Sequence, residues 1–307
     1  MDLSDMKVSV IITSYNYDEF IREAIDSVLL QSYSNKELIV VDDCSKDSSK
    51  NIIMSYGNKL ISVLKDANQG QGAAFNSGLE NSTGDLVLFL DADDYLLPGS
   101  LQEIVNNYCK GVCLYQYRMT LVDQNGAAYG VFPIMSQAWN STQARKNVLR
   151  YGRYQTTVTS GMVYRRDFLE KVMPMDLESF RYGADGYLAI LAPLYGTVKG
   201  FDYLLSVYRQ HGGNHSGFST EVLKQAYWGI EHNIVRYESL KLHAEKNGLK
   251  NEICYEDADI YHLQSRMCVA LFESAEPENR CQLFYKVLVA LPMIKGFKEK
   301  IKIISNK

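Results

Sequence analysis

No run among the 307 residues approaches the ~18 uninterrupted apolar positions of a membrane-spanning helix. The opening Met1-Asp2-Leu3-Ser4-Asp5 holds neither a basic region nor an apolar core, so it does not read as a secretory leader. Excess positive charge is missing too. Against 36 Asp and Glu stand 32 Lys and Arg, a net charge of −4 at pH 7, which argues against a nucleic-acid partner. The six cysteines (Cys44, Cys109, Cys113, Cys254, Cys268, Cys281) are scattered. Cys109 and Cys113 could share a helical face, but no second pair completes a zinc site. They read as reduced thiols, and the expected location is cytoplasmic. Asn-x-Ser/Thr matches at Asn81, Asn140 and Asn214 carry no weight without a secretion signal. The turn Asn68-Gln69-Gly70-Gln71-Gly72 lacks the Lys-Ser/Thr of a Walker loop and misses the dinucleotide-binding spacing. It is either phosphate-facing or a plain loop and helix start.

What is present is a set of three short apolar runs, each ending in a polar cluster. Val8 to Ile12 runs into Thr13-Ser14-Tyr15-Asn16, Leu38 to Val41 into Asp42-Asp43, and Leu86 to Leu90 into Asp91-Ala92-Asp93-Asp94. Such runs predict strands of a parallel sheet buried on both faces. Ligands of open α/β sheets sit outside the carboxyl ends of the strands, and here those ends carry acids, amides and hydroxyls. With no Cys or His beside the acidic turn, its oxygens suit Mg2+ or Mn2+ rather than zinc. Asp91 and Asp93 alternate, so both point to one face and repel, which raises a pKa or invites a cation. Alternatively Asp94 simply caps the next helix.

At 46% hydrophobic the chain can bury one large core with an appendage. Apolar spacing at Phe20, Ile21, Ala24, Ile25, Val28 and Leu29 predicts a helix within Tyr17 to Gln31, hence strand–helix–strand units. Further helices are expected near Ser48 to Tyr56, from Ala73, over Leu101 to Cys109, and over Tyr187 to Leu194. Strands are expected at Ile61 to Leu64, Val112 to Tyr117, Thr157 to Tyr164 and Val198 to Tyr208, with a hairpin at Asp123-Gln124-Asn125-Gly126. From about Thr220 the pattern is helical. Residues 286–307 carry six lysines against one glutamate among apolar residues. They are either a basic amphipathic element for an anionic membrane surface or a solvated helix. The 22 tyrosines suggest aromatic surfaces able to stack on sugars.

These motifs resemble those of the inverting nucleotide-sugar glycosyltransferases of family two. The quoted residues are Val8 to Asn16, Ser27 to Tyr33, Glu37 to Ser45 (with Cys44 where the family commonly has Gly), Asn68 to Gly78, and Gly84 to Asp94. The resemblance is dense over 8–98 and thinner to about 215. It implies a GT-A type, Rossmann-like, mostly parallel α/β sheet flanked by helices, with residues 1–215 forming the transferase domain and 216–307 a helical C-terminal region. Within the domain, 1–98 would serve the nucleotide-sugar and 99–215 the acceptor.

The same resemblance implies roles. Thr13, Tyr15, Asp43 and Asp91 would bind the nucleotide, Tyr15 by stacking and Asp43 by accepting a base N–H. Uracil or thymine has that donor, so a UDP-sugar is favoured over a GDP-sugar. Asp93 would bind Mn2+ or Mg2+. In Tyr208-Arg209-x-His211, similar to the family's closing motif, His211 would contact the metal or diphosphate with Arg209 near the diphosphate. Asp185 stands where an acidic pair precedes a helix and would be the catalytic base, although Ala184 replaces the usual Glu. Phe75 stands where many relatives have Arg. Without the Gln-x-x-Arg-Trp motif of processive synthases, one sugar per encounter is expected, passed to a glycan or lipid-linked acceptor in surface polysaccharide or capsule assembly. The alternatives are a degenerate, nucleotide-sugar-binding protein and a sugar nucleotidyltransferase. The latter is disfavoured because Tyr15-Asn16-Tyr17-Asp18-Glu19 has no positive charge.

Overall fold

The structure, a computed structural model, describes residues 5–133, 141–211, 222–249 and 259–272. The chain divides into two compact units: residues 1–144 with 155–217, and residues 145–154 with 218–307.

The first unit is built on one sheet. Its strands are β1 (Val8–Ser14), β2 (Lys36–Asp42), β3 (Ile61–Leu64), β4 (Leu86–Asp91), β5 (Tyr95–Leu96), β6 (Val112–Val122), β7 (Ala128–Phe132), β8 (Met162–Arg165) and β9 (Thr197–Arg209). They lie in the order β3-β2-β1-β4-β8-β6-β9-β5, with β7 paired to β6. The three predicted apolar runs are the central strands. Val8, Val10, Ile11 and Ile12, Ile39 to Val41, and Leu86 to Leu90 are all fully buried, as strands covered on both faces must be.

Helices α1 (Ile21–Leu29), α2 (Ser49–Ser55), α3 (Gln71–Glu80), α4 (Ser100–Asn106), α6 (Arg166–Val172) and α7 (Ala184–Tyr195) belong to this unit. In α1 the buried residues are Ile21, Ala24, Ile25 and Val28, the spacing that places one face on the sheet. The predicted start at Tyr17 is instead a turn, in which the Phe20 and Ile21 N–H groups donate to the Tyr17 carbonyl. Gly78 of α3 lies so close to β1 that a Cβ there would sit 2.2 Å from Ile11 Cγ2, so the helix and strand pack at van der Waals contact through a missing side chain.

Strand direction departs from a mostly parallel sheet in its second half. β1, β2, β3 and β4 run parallel, and β6 and β9 run parallel, but β8 is antiparallel to both β4 and β6. Its expected first residues form a 3-10 turn, Thr159–Gly161, so the strand begins at Met162. Gly161 is pressed there: a Cβ would lie 2.6 Å from Thr157 Oγ1 and 2.9 Å from the Tyr117 carbonyl. β6 continues past Tyr117 to Val122 because β9 pairs it on one side and β7 on the other. The polar character of Arg118 and Thr120 hid that continuation. The hairpin is present, with Gly126 N–H donating to the Asp123 carbonyl at 3.0 Å.

In the second unit α5 (Ser141–Tyr151) contributes its residues from 145 onward, with α8 (Val222–Lys246) and α9 (Ile260–Phe272). Asp259 ties them together. Its carboxylate accepts Arg236 Nη2 at 2.9 Å, Tyr237 O–H at 2.7 Å and Arg153 Nε, while Oδ1 accepts the Tyr261 N–H at 2.9 Å and so caps α9. Burial pushes this carboxyl up, but Arg153 and Arg236 outweigh it and hold the pKa below the usual range. Among the described residues no helix is long and apolar enough to cross a membrane. The lysine-rich segment 286–307, Gly212-Gly213 and His215 lie outside the described residues.

Candidate active site

The carboxyl ends of β1, β2 and β4 meet side by side. In register, Thr13 faces both Val41 of β2 and Asp91 of β4. Beyond them the chain turns sharply. Asn16 and Cys44 take left-handed backbone angles, φ +60 and φ +67, which explains why glycine suits position 44. Asn16 accepts the Lys46 N–H at 2.8 Å and gives its own N–H to Ser45 Oγ at 2.9 Å. Tyr15 stands 37% exposed at this edge, a face available for stacking.

Asp43 is buried beneath Tyr15's strand end, held by its N–H to the Ser14 carbonyl at 2.8 Å. Its carboxylate accepts the Gln69 N–H at 3.0 Å and the Gly70 N–H at 2.6 Å, with Lys65 Nζ at 3.4 Å. A carboxylate has about four lone-pair sites. Three are taken, and one remains for a ligand N–H. The Gly-rich turn is therefore no phosphate loop. Its amides seat Asp43, and Gln71 Oε1 accepts the Ala184 N–H at 3.1 Å, seating the start of α7.

The acidic turn forms a second cluster. Asp91 ends β4, and Asp185 lies in the first turn of α7. Thr159 Oγ1 donates to Asp185 Oδ2 at 3.2 Å and is also hydrogen-bonded to Asp91. Ser160 Oγ accepts the Asp91 N–H at 3.1 Å. Burial, then Asp93 and Asp185, push the Asp91 carboxyl well above the ordinary range. Burial likewise raises Asp185, and burial with Asp93 and Asp91 raises Asp94. Burial raises Asp93 against the opposing pull of His211. Tyr17, buried beside the same acids, is pushed far up by burial and by Asp93.

His211 Nε2 and Asp93 Oδ2 are 3.0 Å apart, and the imidazole packs between Phe20 at 5.1 Å and Tyr17 at 6.1 Å. Asp94 does not cap α4. It accepts the Arg209 N–H at 3.0 Å. Arg209, expected near a diphosphate, is 5% exposed and engaged elsewhere. Its Nε donates to the Asp93 carbonyl at 3.1 Å, Nη2 pairs with Glu23, and the guanidinium lies over Phe20 and Tyr95. It fastens the acidic turn to α1.

A profile for Glycosyl transferase family 2 matches residues 9–173. The chain belongs to that family. An uncharacterised glycosyltransferase of Nostoc is 36% identical over 213 residues, covering 68% of this chain and 66% of the relative. The poly(ribitol-phosphate) beta-N-acetylglucosaminyltransferase TarS of Staphylococcus aureus is 38% identical over 103 residues, 32% of this chain and 18% of TarS. The chain thus spans about two thirds or less of the length of these relatives. The crystal structure of TarS 1–349 with UDP-GlcNAc superposes with a TM-score of 0.59 at 19% identity, over 93% of this chain and 81% of that one. A mannosyltransferase of Pyrobaculum calidifontis, solved with GDP-Man and Mn2+, gives 0.51 at 17% identity, over 96% and 82%. These likenesses show the GT-A type α/β fold.

For a family 2 chain the acids suit a divalent cation. Among the described residues no three His, Cys, Asp or Glu groups close into a metal cage. An octahedral Mg2+ keeps several waters and substrate phosphates, and needs few protein ligands. Two adjacent ligands at ~2.1 Å stand about 3 Å apart, the spacing of Asp93 and His211. The raised carboxyls are what a cation would relieve. Phe75 is absent from the rim: fully buried, it stacks on Phe89 at 3.8 Å and 5°. Thr159, Ser160, Tyr17 and Gln71 carry no motif. Only the sheet's long-range pairing brings the first two to Asp91.

Proposed function

We propose that this family 2 chain is an inverting glycosyltransferase. It moves one sugar per encounter from a nucleotide-sugar, a UDP-sugar above others, to a hydroxyl of a glycan or lipid-linked acceptor in surface polysaccharide assembly. The observation that carries the reading is the convergence of Asp91, Asp93 and Asp185 around Thr159, one strand end away from Asp43 and Tyr15.

Tyr15 stacks on the base, Asp43 accepts its N–H with the one lone pair left to it, and Thr13 and Asp91 face the ribose. Asp93 and His211 would hold Mn2+ or Mg2+, which when bound offsets the charge developing on the diphosphate. Asp185 takes the proton of the acceptor hydroxyl as that oxygen attacks the anomeric carbon. The bond to the diphosphate breaks on the opposite side, so configuration inverts. Burial raises Asp185 and makes it a stronger base than an exposed carboxylate. The UDP-GlcNAc held by TarS and the GDP-Man and Mn2+ held by the Pyrobaculum enzyme support a nucleotide-sugar and a divalent metal. The polymer in the name of TarS supports a glycopolymer acceptor. A lipid-linked acceptor would be met at a membrane surface, which the charge of residues 286–307 suits.

Calorimetric titration of UDP, with and without Mn2+ and set against GDP, tests the donor. Metal-dependent UDP binding is expected. Asp185→Asn should keep that binding while turnover falls roughly 10²–10⁴-fold. Absence of UDP binding would overturn the donor assignment, and undiminished turnover would overturn the base.

A further inference from the structure

Phe75 leaves a chemical gap at the nucleoside end. Relatives often carry an arginine there, whereas this side chain is stacked on Phe89 inside the core. Helix α3 contains no Lys or Arg at all. A guanidinium nevertheless stands beside that end, supplied from the segment that leads into α7.

Arg181 is exposed, and two hydrogen bonds hold it in place. Its Nη2 donates to the Asn68 carbonyl at 3.0 Å and to Asn68 Oδ1 at 2.7 Å. Its ring neighbour is Tyr182, with the guanidinium 5.7 Å from the ring centre. Its backbone and stem lie directly on Gly70: a Cβ there would fall 2.3 Å from the Arg181 carbonyl oxygen and 2.5 Å from Arg181 Cγ. Gly70 is also the residue whose N–H donates to Asp43 Oδ2 at 2.6 Å. One glycine's thickness separates Arg181 from the Asp43 carboxylate, and both Asp43 and Tyr15 are within reach of its charge.

We propose that Arg181 reads the donor's nucleobase, donating to the ring carbonyl next to the ring N–H that Asp43 accepts. The inference rests on the assignment of Tyr15 and Asp43 to the nucleoside. Uracil, thymine and guanine all present a carbonyl beside a ring N–H; cytosine and adenine do not. A guanidinium beside a carboxylate is the complement of that edge, one donor next to one acceptor. The tether to Asn68 keeps Arg181 at the Asp43 end, while Asp93 and His211 mark the diphosphate end of the same rim. Replacing the arginine of α3 by one from residue 181 also ties base reading to the segment that carries Asp185, four residues later.

The test compares UDP with CDP by calorimetry in the presence of Mn2+, on the whole chain. Wild-type protein should prefer UDP. Arg181→Ala should weaken UDP about 10- to 100-fold, the range of a charge-assisted hydrogen bond, and leave CDP unchanged, so the preference collapses. Arg181→Gln keeps an N–H donor and should retain more of the preference than Ala. With a UDP-sugar, KM should rise while kcat at saturating donor stays near wild type. An equal loss for UDP and CDP would overturn the proposal, since it would mark a phosphate contact or a loop brace. So would unchanged UDP affinity. Failure of the wild type to bind UDP at all would overturn both this inference and the donor assignment beneath it, and it shows before any variant is made.

Discussion

Thr159 brings one hydroxyl proton to two carboxyls, those of Asp91 and Asp185. That hydrogen bond favours the ionised form of each, against the burial that raises both. Asp185 works as a base only when ionised, so transfer is lost as pH falls through its raised pKa. The acid limb of kcat/KM should therefore lie above the ordinary carboxylate range. Thr159→Val removes the hydroxyl at nearly constant volume, so the limb should move to higher pH and activity on the acid side should drop about 5-fold, the value of a typical lost hydrogen bond. A pH–rate profile of the two proteins decides it; coincident limbs would mean Thr159 only packs. The acids themselves were legible in the sequence because each ends an apolar run. Thr159 and Ser160 were not, because a Thr-Ser-Gly turn acquires meaning only when β8 lies against β4.

At the scale of elements, the turn before α3 shows how a loop acts through its backbone. Gly70 has φ +87, and a Cβ would collide with Arg181. Gly70→Ala should therefore cost about 1–3 kcal/mol of stability from backbone strain. It should also weaken UDP, because the Gln69 and Gly70 amides that hold Asp43 would shift. A melting curve and a UDP titration on the variant check both outcomes. The same turn was open to two readings from its spacing, since glycine enrichment does not reveal which partner its amides face. The central strands were readable for the opposite reason: burial on both faces writes itself into four or five consecutive apolar residues. The reversed direction of β8 has no such local imprint, because it depends on segments about 75 residues apart. Tyr95–Leu96 is too short to give a pattern.

The whole chain has two units, and the second depends on a single carboxylate shared by two arginines, a tyrosine and a helix start. Breaking one side of a buried ion pair costs about 3–5 kcal/mol because the other charge is left behind. Asp259→Ala should thus loosen the second unit, with Arg236 buried and unmatched, while UDP binding by the first unit persists. Hydrogen exchange followed along the chain would show faster exchange in 222–246 and 260–272 than in the strands around Asp43 and Asp91. Equal acceleration in both units would contradict separate folding.

The reversed strand has one more consequence. β6 ends at Val122, opposite Arg209, and the chain comes back at Thr157, whose N–H donates to Gln116 Oε1 at 3.1 Å just before Thr159 reaches the acids. The excursion from 123 to 156 leaves and re-enters the protein at neighbouring anchors. Closing such a loop costs only about 0.6 kcal/mol more for each doubling of its length. Evolution can therefore rewrite that segment, longer, shorter or with new chemistry, and graft a different acceptor onto an unchanged set of carboxylates.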